Sequence, residues 1–372
     1  MNTQDLAELY LLSRSLWWRH ELGLLSDQAV SELIKVLRSA RAGIVAQIEA
    51  EAQGLASISE WTSERNDQIS AWIDDVLAGT SASVTSYISE ASVGVALASV
   101  ATYNSILSFD GKAKAVKLVE GLTREQVKQF FQDQPLGGKL LSDWVGNAFS
   151  TGARDSIIDA IREGVVMGEG YRKLVKRVMT AADAGFSITQ REATTLVRTY
   201  VQSANTGAQE AVYEQNEGII KGYKRVETLD NRTCRICALA DGAVYGKNEK
   251  RPELPAHPNC RGVWLPLLKS FRELGLNIDE HEEVARPWTI REQGAIGTGG
   301  RKILNFGTTK ENFGGWWESL SAEDKLKTSV GPVRERLLQE GLVRWEDLSD
   351  KRTGLPYTLE QLGFDEQGNP LR

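Results

Sequence analysis

Residues Val226–Pro266 read VETLDNRTCRICALADGAVYGKNEKRPELPAHPNCRGVWLP. This stretch holds all three cysteines of the chain, Cys234, Cys237 and Cys260, and one of its three histidines, His257. The spacing is Cys-x-x-Cys, a loop of about twenty residues, then His-x-x-Cys, the layout of a tetrahedral structural zinc site. Each close pair grips an ion from one tight turn, and the loop lets the second turn fold back. Asp230 and Asn231 favour a turn before the first pair and Asp241 and Gly242 one after it, while Pro255 and Pro258 stiffen the approach to His257 and Cys260. Four ligands close the coordination sphere, so a structural role is expected rather than a catalytic one, although Glu249 and Glu253 lie in the loop. A disulfide is the rival; an odd cysteine count and no visible signal peptide weigh against it.

Working outward, GIIKGYKRVET (218–228) reads as a β-strand entering the zinc turn and RGVWLPL (261–267) as one leaving it. Upstream, Ser187 and Gln190 are placed to cap a helix running to about Asn216. Its apolar positions Ala193, Leu196, Val197, Val201, Ala204, Ala208 and Val212 follow helical spacing. Arg198 sits beside that stripe, which predicts a guanidinium paired near the zinc module in a structural role.

These residues carry a resemblance. The run TCRICALADGAVY (233–245), followed by PAHPNCR (255–261), is similar to the signature of the phage Mu F-like minor head proteins, also called phage head morphogenesis proteins. The helix QREATTLVRTYVQSANTGAQEAVYEQN (190–216) looks like the family's other marker, and the likeness covers about Gly164 to Pro266. The tail segments GPVRERLLQEGLVRWEDLSD and LPYTLEQL resemble the family more loosely and are expected to pack back on the zinc module. In one respect the chain departs: where many relatives have Cys-Arg-Cys, it has Cys260, Arg261, Gly262. A fifth thiol is thereby out of play, and a set of four remains.

The whole chain has 372 residues and a net charge of -6, enough length for two or three domains and the wrong balance for a dedicated nucleic-acid binder. Charge is uneven. Residues 1–110 carry 6 Lys+Arg against 14 Asp+Glu, whereas 111–180 carry 12 against 8. Residues 2 to 52 read as two helices separated by a turn at Gly23–Ser26, with one of the adjacent Trp17 and Trp18 in the core. Ser57 and Glu60, and later Thr123 and Gln126, are spaced as capping boxes. Ala91–Phe109 is nineteen residues without a charge. Its length admits a membrane span, but Ser, Thr, Asn and Gly dilute its hydrophobicity, and a buried bundle or oligomer helix is expected. Pro135–Gly138 reads as a break before a helix through Trp144, Phe149 and Ile157, and Gly164, Gly168 and Gly170 as turns. Arg172, Lys173, Lys176 and Arg177 then share one helix side, as solvated surface or as candidate DNA contacts. Beyond Pro287 the sequence reads as loop-rich. GAIGTGGRK there matches neither nucleotide-loop pattern, and Ser321 with Asp324 caps a last helical stretch.

The fold class expected is mainly α, with an N-terminal helical bundle and a small zinc-stapled α+β module. The expected domains are 1–110 for assembly contacts, 111–290 for the Mu F-like region, and 291–372 as an extension. Catalytic readings fare poorly: a histidine-based triad would need His20 or His281, and His-Glu-x-x-His is absent at both. The resemblance implies a non-enzymatic minor head protein inside the virion. It would sit near the portal and have the portal and major capsid proteins as partners. Weak non-specific DNA contact, a role in packaging or ejection, and assembly in the host cytoplasm go with that reading; no stable membrane span is expected. The alternatives are a zinc-stapled DNA-binding or interaction module and a zinc-dependent nuclease.

Overall fold

The computed structural model describes residues 3–53, 63–108, 123–125, 139–169, 171–269, 285–291, 303–328, 330–350 and 355–371. These residues are mainly helical, with two small sheets. They form two compact units, one of residues 1–19, 100–120 and 208–372, the other of 20–99 and 121–207. Stretches of both lie on either side of residue 110. Ser57, Glu60, Gln126, Pro135–Gly138, Gly170, His281 and the glycine-rich run 294–302 fall outside the described residues.

Where two N-terminal helices are expected there is one, α1, Thr3–Gln53. Gly23 does not break it. No atom lies within 4 Å of where its Cβ would stand, so Gly23 costs only the intrinsic penalty of about 1 kcal/mol. The buried stripe of Leu22, Val30, Leu33, Leu37, Ile44 and Ile48 runs on past it. Trp18 is in the core and Trp17 is 42% exposed. Helix α2, Ser63–Leu107, carries the uncharged run and buries Val93, Val95, Ala96, Val100, Tyr103 and Ile106. Its part from Asp67 to Leu107 is long and apolar enough to cross a membrane, and half of its most apolar window is buried within the protein.

In the 20–99/121–207 unit, α3 (Leu141–Ala148) and α4 (Asp155–Val166) are joined by a single π-helical segment, Phe149–Arg154. The wider turn brings Gly152 against the next helix: a Cβ there would stand 2.4 Å from Thr189 Oγ1. Thr189 donates across the contact to the Ala148 carbonyl at 3.0 Å. That helix, α5, runs unbroken over Tyr171–Gln215. Ser187 is therefore interior, not a cap; the buried stripe begins a full turn or more earlier, at Leu174, Val178 and Ala182, and holds the helix through it. Of the glycines read as turns, Gly168 is one, with φ 62°, while Gly164 lies inside α4.

The strands of the other unit follow the end of α5. Strand β1 (Ile220–Val226) is central in an antiparallel sheet with β3 (Val244–Gly246) and β4 (Val263–Leu268). Both strands expected around the cysteine turns are present, with Arg225 opposite Trp264 and Val226 opposite Val263. The short helix α6, Arg235–Ala240, carries the first cysteine pair. The region after Pro287 is not all loop: β5 (Arg286–Arg291) pairs in parallel with β2 (Leu229–Asp230) and antiparallel with β6 (Ile303–Thr309). Pro287 is tolerated because β2 pairs only with Trp288 and Thr289, so its missing N–H breaks no rung there. Helices α7 (Phe313–Ser319), α8 (Ala322–Leu326) and α9 (Pro332–Gln339) follow. Ser321 caps α8 by accepting from the Asp324 N–H at 3.2 Å. Phe313, Trp316 and Trp317 pack with Leu229, Ala238 and Ile290 into one core, which fastens the C-terminal part to the cysteine module.

Candidate metal centre

Three donors meet at one point. Cys234 Sγ lies 3.0 Å and Cys237 Sγ 3.1 Å from His257 Nε2; these three ligand atoms are mutually within 4.8 Å. Cys260 Sγ is 3.8 Å from Cys237 Sγ, though it does not join that mutually close trio. Zinc–ligand bonds of about 2.3 Å to sulfur and about 2.0 Å to nitrogen give tetrahedral edges of about 3.8 Å between sulfurs and about 3.6 Å from sulfur to nitrogen. The Cys237–Cys260 edge already has that length. The His257 ring must back away by about half an ångström to admit an ion.

The backbone explains why these groups converge. The Cys234 carbonyl accepts from Ala238 N and starts α6, which sets Cys237 one turn on. Cys260 N donates to the His257 carbonyl in a tight turn that places Asn259 at φ 60°. His257 Nδ1 lies 2.8 Å from the Pro258 carbonyl. With its Nδ1–H donated there, the ring turns Nε2 toward the sulfurs, where an ion would take the place of the Nε2 proton, the orientation common for a metal-bound histidine.

The four donors shift one another's protonation. Hydrogen bonding to Cys237 depresses the Cys234 thiol to about 4 and the Cys260 thiol to about 5, Arg225 adding to the latter. Cys237, bonded to both other thiols and buried, is pushed strongly upward and keeps its proton between them. The Cys234 sulfur raises His257 to about 9. Protons thus sit where two positive charges of a metal ion would serve three thiolates at once.

Around the donors lies a lattice of buried charge that the sequence reading did not single out. Arg225 and Glu227 are both 2% exposed, and Arg225 Nε donates to Glu227 Oε1 at 2.6 Å. Arg225 Nη2 stands 3.7 Å from Cys237 Sγ and 3.9 Å from Cys260 Sγ. Its guanidinium lies over the Trp264 ring, 5.5 Å from the centroid. Arg19 of α1 donates to the Val226 carbonyl at 2.8 Å and to Thr228 Oγ1 at 3.2 Å, on either side of Glu227. Asp241, read from sequence as a turn former, accepts from the backbone N–H of Glu227 and of Phe313, both at 2.7 Å, and forms a two-pronged pair with Arg286. The signal was present in β1: Arg225 and Glu227, two residues apart, fall on one side of an extended chain.

Residue 262 fits the same lattice. A Cβ there would stand 2.2 Å from Glu227 Oε1 and 2.7 Å from Arg225 Nη2. The Arg225–Glu227 pair fills the space beside Cys260 where a third side chain of a Cys-Arg-Cys run would go. Arg198, by contrast, is not at the centre. It donates to Asp27 Oδ1 at 3.1 Å, on the partly exposed side of the helical unit, because its position on α5 lies at the edge of the stripe.

Beside Cys260, Arg261 makes two bonds to Asp230, at 2.7 and 2.8 Å. Burial alone would raise the Asp230 carboxyl, but the Arg261 fork and the Thr233 hydroxyl outweigh it and hold the group at about 2. A carboxyl lowered on folding stabilises the fold above its unfolded pKa and loses that contribution as pH falls through the folded one. Between pH ~4 and ~2 the module should therefore lose about 2 kcal/mol. Comparing acid unfolding of the native chain with Asp230→Asn isolates this share, since the variant should lack it.

Residues 155–265 match the family described as phage Mu protein F like protein. That likeness spans under a third of the chain. It takes in all four donors together with Arg225, Glu227 and Asp241, whereas Arg286 and Phe313 come from beyond it. No curated protein and no solved structure matches the chain. The four cations read as DNA-contact candidates also lie in the Mu F-like stretch, on α5. Arg172, Lys173 and Lys176 are exposed. Arg177 is engaged, at 2.7 Å with Glu169 and 3.0 Å with Glu163, which tie the start of α5 to the end of α4.

Proposed function

We propose that the protein is a phage minor head protein, a structural component of head assembly near the portal, and that one zinc ion held by Cys234, Cys237, His257 and Cys260 staples its Mu F-like domain. The observation that carries this reading is that the family match encloses a complete donor set of three cysteines and one histidine. Zinc fits better than a hard cation because three of the donors are sulfur. A structural role is supported by the burial of Cys237 and Cys260, 3% and 2% exposed, and by the closed set of four donors. When bound, the ion would supply only cross-linking; the protein's own residues set the turns and orient the imidazole. We place the protein inside the head, with assembly in the host cytoplasm, portal and major capsid proteins as its partners, and no enzymatic step of its own. Any packaging or ejection contact with DNA would rest on exposed Arg172, Lys173 and Lys176, weak and salt-sensitive. Helix α2 serves inside the fold rather than across a membrane.

Docking through residues 1–110 has to be tested in the intact chain. Arg19 is bonded into the cysteine module and Tyr103 packs edge-on against Tyr213, so removing the segment would damage the core. Exposed apolar residues on α1, such as Leu24, 52% exposed, are suitable sites for charge substitutions. Mass spectrometry of purified particles is the direct test. The chain should be present in few copies relative to the major capsid protein and enriched with the portal; particles lacking it, while the protein accumulates free in the lysate, would overturn the reading.

A further inference from the structure

A centre of three thiolates, a neutral imidazole and a divalent ion carries one net negative charge. On the side of Cys237 and Cys260 it is buried, and burying a net charge is costly unless an opposite charge faces it. Among the described residues, one side chain lies against two of the sulfurs at once. The Arg225 guanidinium is 2% exposed and places Nη2 within 3.9 Å of the sulfurs of both Cys237 and Cys260. It cannot readily turn away. Glu227 holds Nε at 2.6 Å, Trp264 lies against the guanidinium, and the α-carbon of Gly262 closes the near side with no room for a Cβ. Glu227 is in turn flanked by Arg19, bonded to the backbone on either side of it. Charge therefore alternates outward from the centre: sulfurs, Arg225, Glu227, Arg19.

We propose that Arg225 is the built-in counter-ion of the metal centre, a positioning residue that orients two of the three sulfurs and sets how tightly they hold the ion. Glu227 aims it. Gly262 is required so that the pair can occupy the space beside Cys260. The inference rests on the zinc reading above. It goes further in assigning to this chain a second layer of metal-tuning residues that comes from β1 rather than from the cysteine turns.

The test uses full-length protein loaded with Zn(II) for chelator competition and with Co(II) for its sulfur-to-metal charge-transfer band. Arg225→Gln combined with Glu227→Gln removes both charges while nearly keeping shape, so no carboxylate is orphaned. This double variant should lose about 10–100-fold in zinc affinity, the usual scale for removing such an outer partner, and its Co(II) band should shift. Glu227→Gln alone keeps the guanidinium beside the sulfurs with a neutral acceptor to aim it, and should lose less affinity than the double variant. Arg225→Lys keeps a charge without the planar fork and should fall between. A double variant with native affinity and an unshifted band would overturn the proposal, leaving Arg225 as a mere partner for Glu227. Should the double variant not fold, the single ones decide: Arg225→Lys must bind more weakly than Glu227→Gln, and the reverse order overturns the proposal. A native chain that binds neither metal would overturn the zinc reading and this inference together, a failure distinct from equal binding by native and variant.

Discussion

Stripping the metal from the full-length protein, by chelation or by Cys237→Ser, is expected to open residues 226–266 while the helices of the 20–99/121–207 unit keep their far-ultraviolet signal. Structural zinc contributes on the order of 10 kcal/mol to small zinc-folded peptides. Here the loss should be smaller, because Val226, Leu229, Ala238, Val263 and Trp264 are buried whether or not an ion is bound. Those contacts reach the loop 247–262 at few points: besides the donors it is held by Leu254, 9% exposed, by Arg251 stacked 3.6 Å from the Tyr223 ring and paired with Glu210, and by Arg261 on Asp230. Amide exchange should therefore accelerate first in the loop and α6, and last in β1 and β4. Uniform exchange across the chain, with or without chelator, would show that the cysteine cluster staples nothing.

The second large effect is expected at Asp241. Its carboxylate joins three parts of the module: the end of β1 through Glu227 N, the start of α7 through Phe313 N, and β5 through Arg286. It is fully buried and Arg286 nearly so. Asp241→Ala leaves that guanidinium without its counter-ion and two backbone N–H groups without acceptors. Breaking a buried pair from one side costs about 3–5 kcal/mol. Asp241→Asn retains a carbonyl acceptor and should cost less. Trp316 and Trp345 pack on Phe313, and Trp288 packs on Trp316, so tryptophan fluorescence during urea unfolding reads this junction. Asp241→Ala with an unchanged midpoint would mean the C-terminal helices are held by their aromatic core alone.

How far the sequence showed all this depends on the range of each interaction. The donor set is legible because its geometry is local: two turns, each written in Cys, His, Asp, Gly and Pro. The flanking strands are legible for the same reason, bounded by turn residues on both sides. Helix continuity is not. Gly23 and Ser187 look like punctuation, but a glycine facing open space costs little, and a buried stripe extending on both sides outweighs it. Arg225 looked like one more cation in KGYKRVE; only the approach of β4 and α6 turns it into a neighbour of two sulfurs. Asp241 carries a turn signal of its own, which hid its longer-range work. β5 and β6 were missed because Pro287 argues locally against a strand and the glycine-rich run 294–302 reads as loop rather than as the link of a strand pair.

We propose that one ion holds the Mu F-like stretch together through Cys234, Cys237, His257 and Cys260. Elemental analysis of full-length protein purified without chelator tests it most directly. The expected result is one zinc per chain, lost together when any one of the four donors is replaced by serine or alanine. Protein that is folded, soluble and free of metal as isolated, and that takes up none when zinc is supplied under reducing conditions, would contradict it.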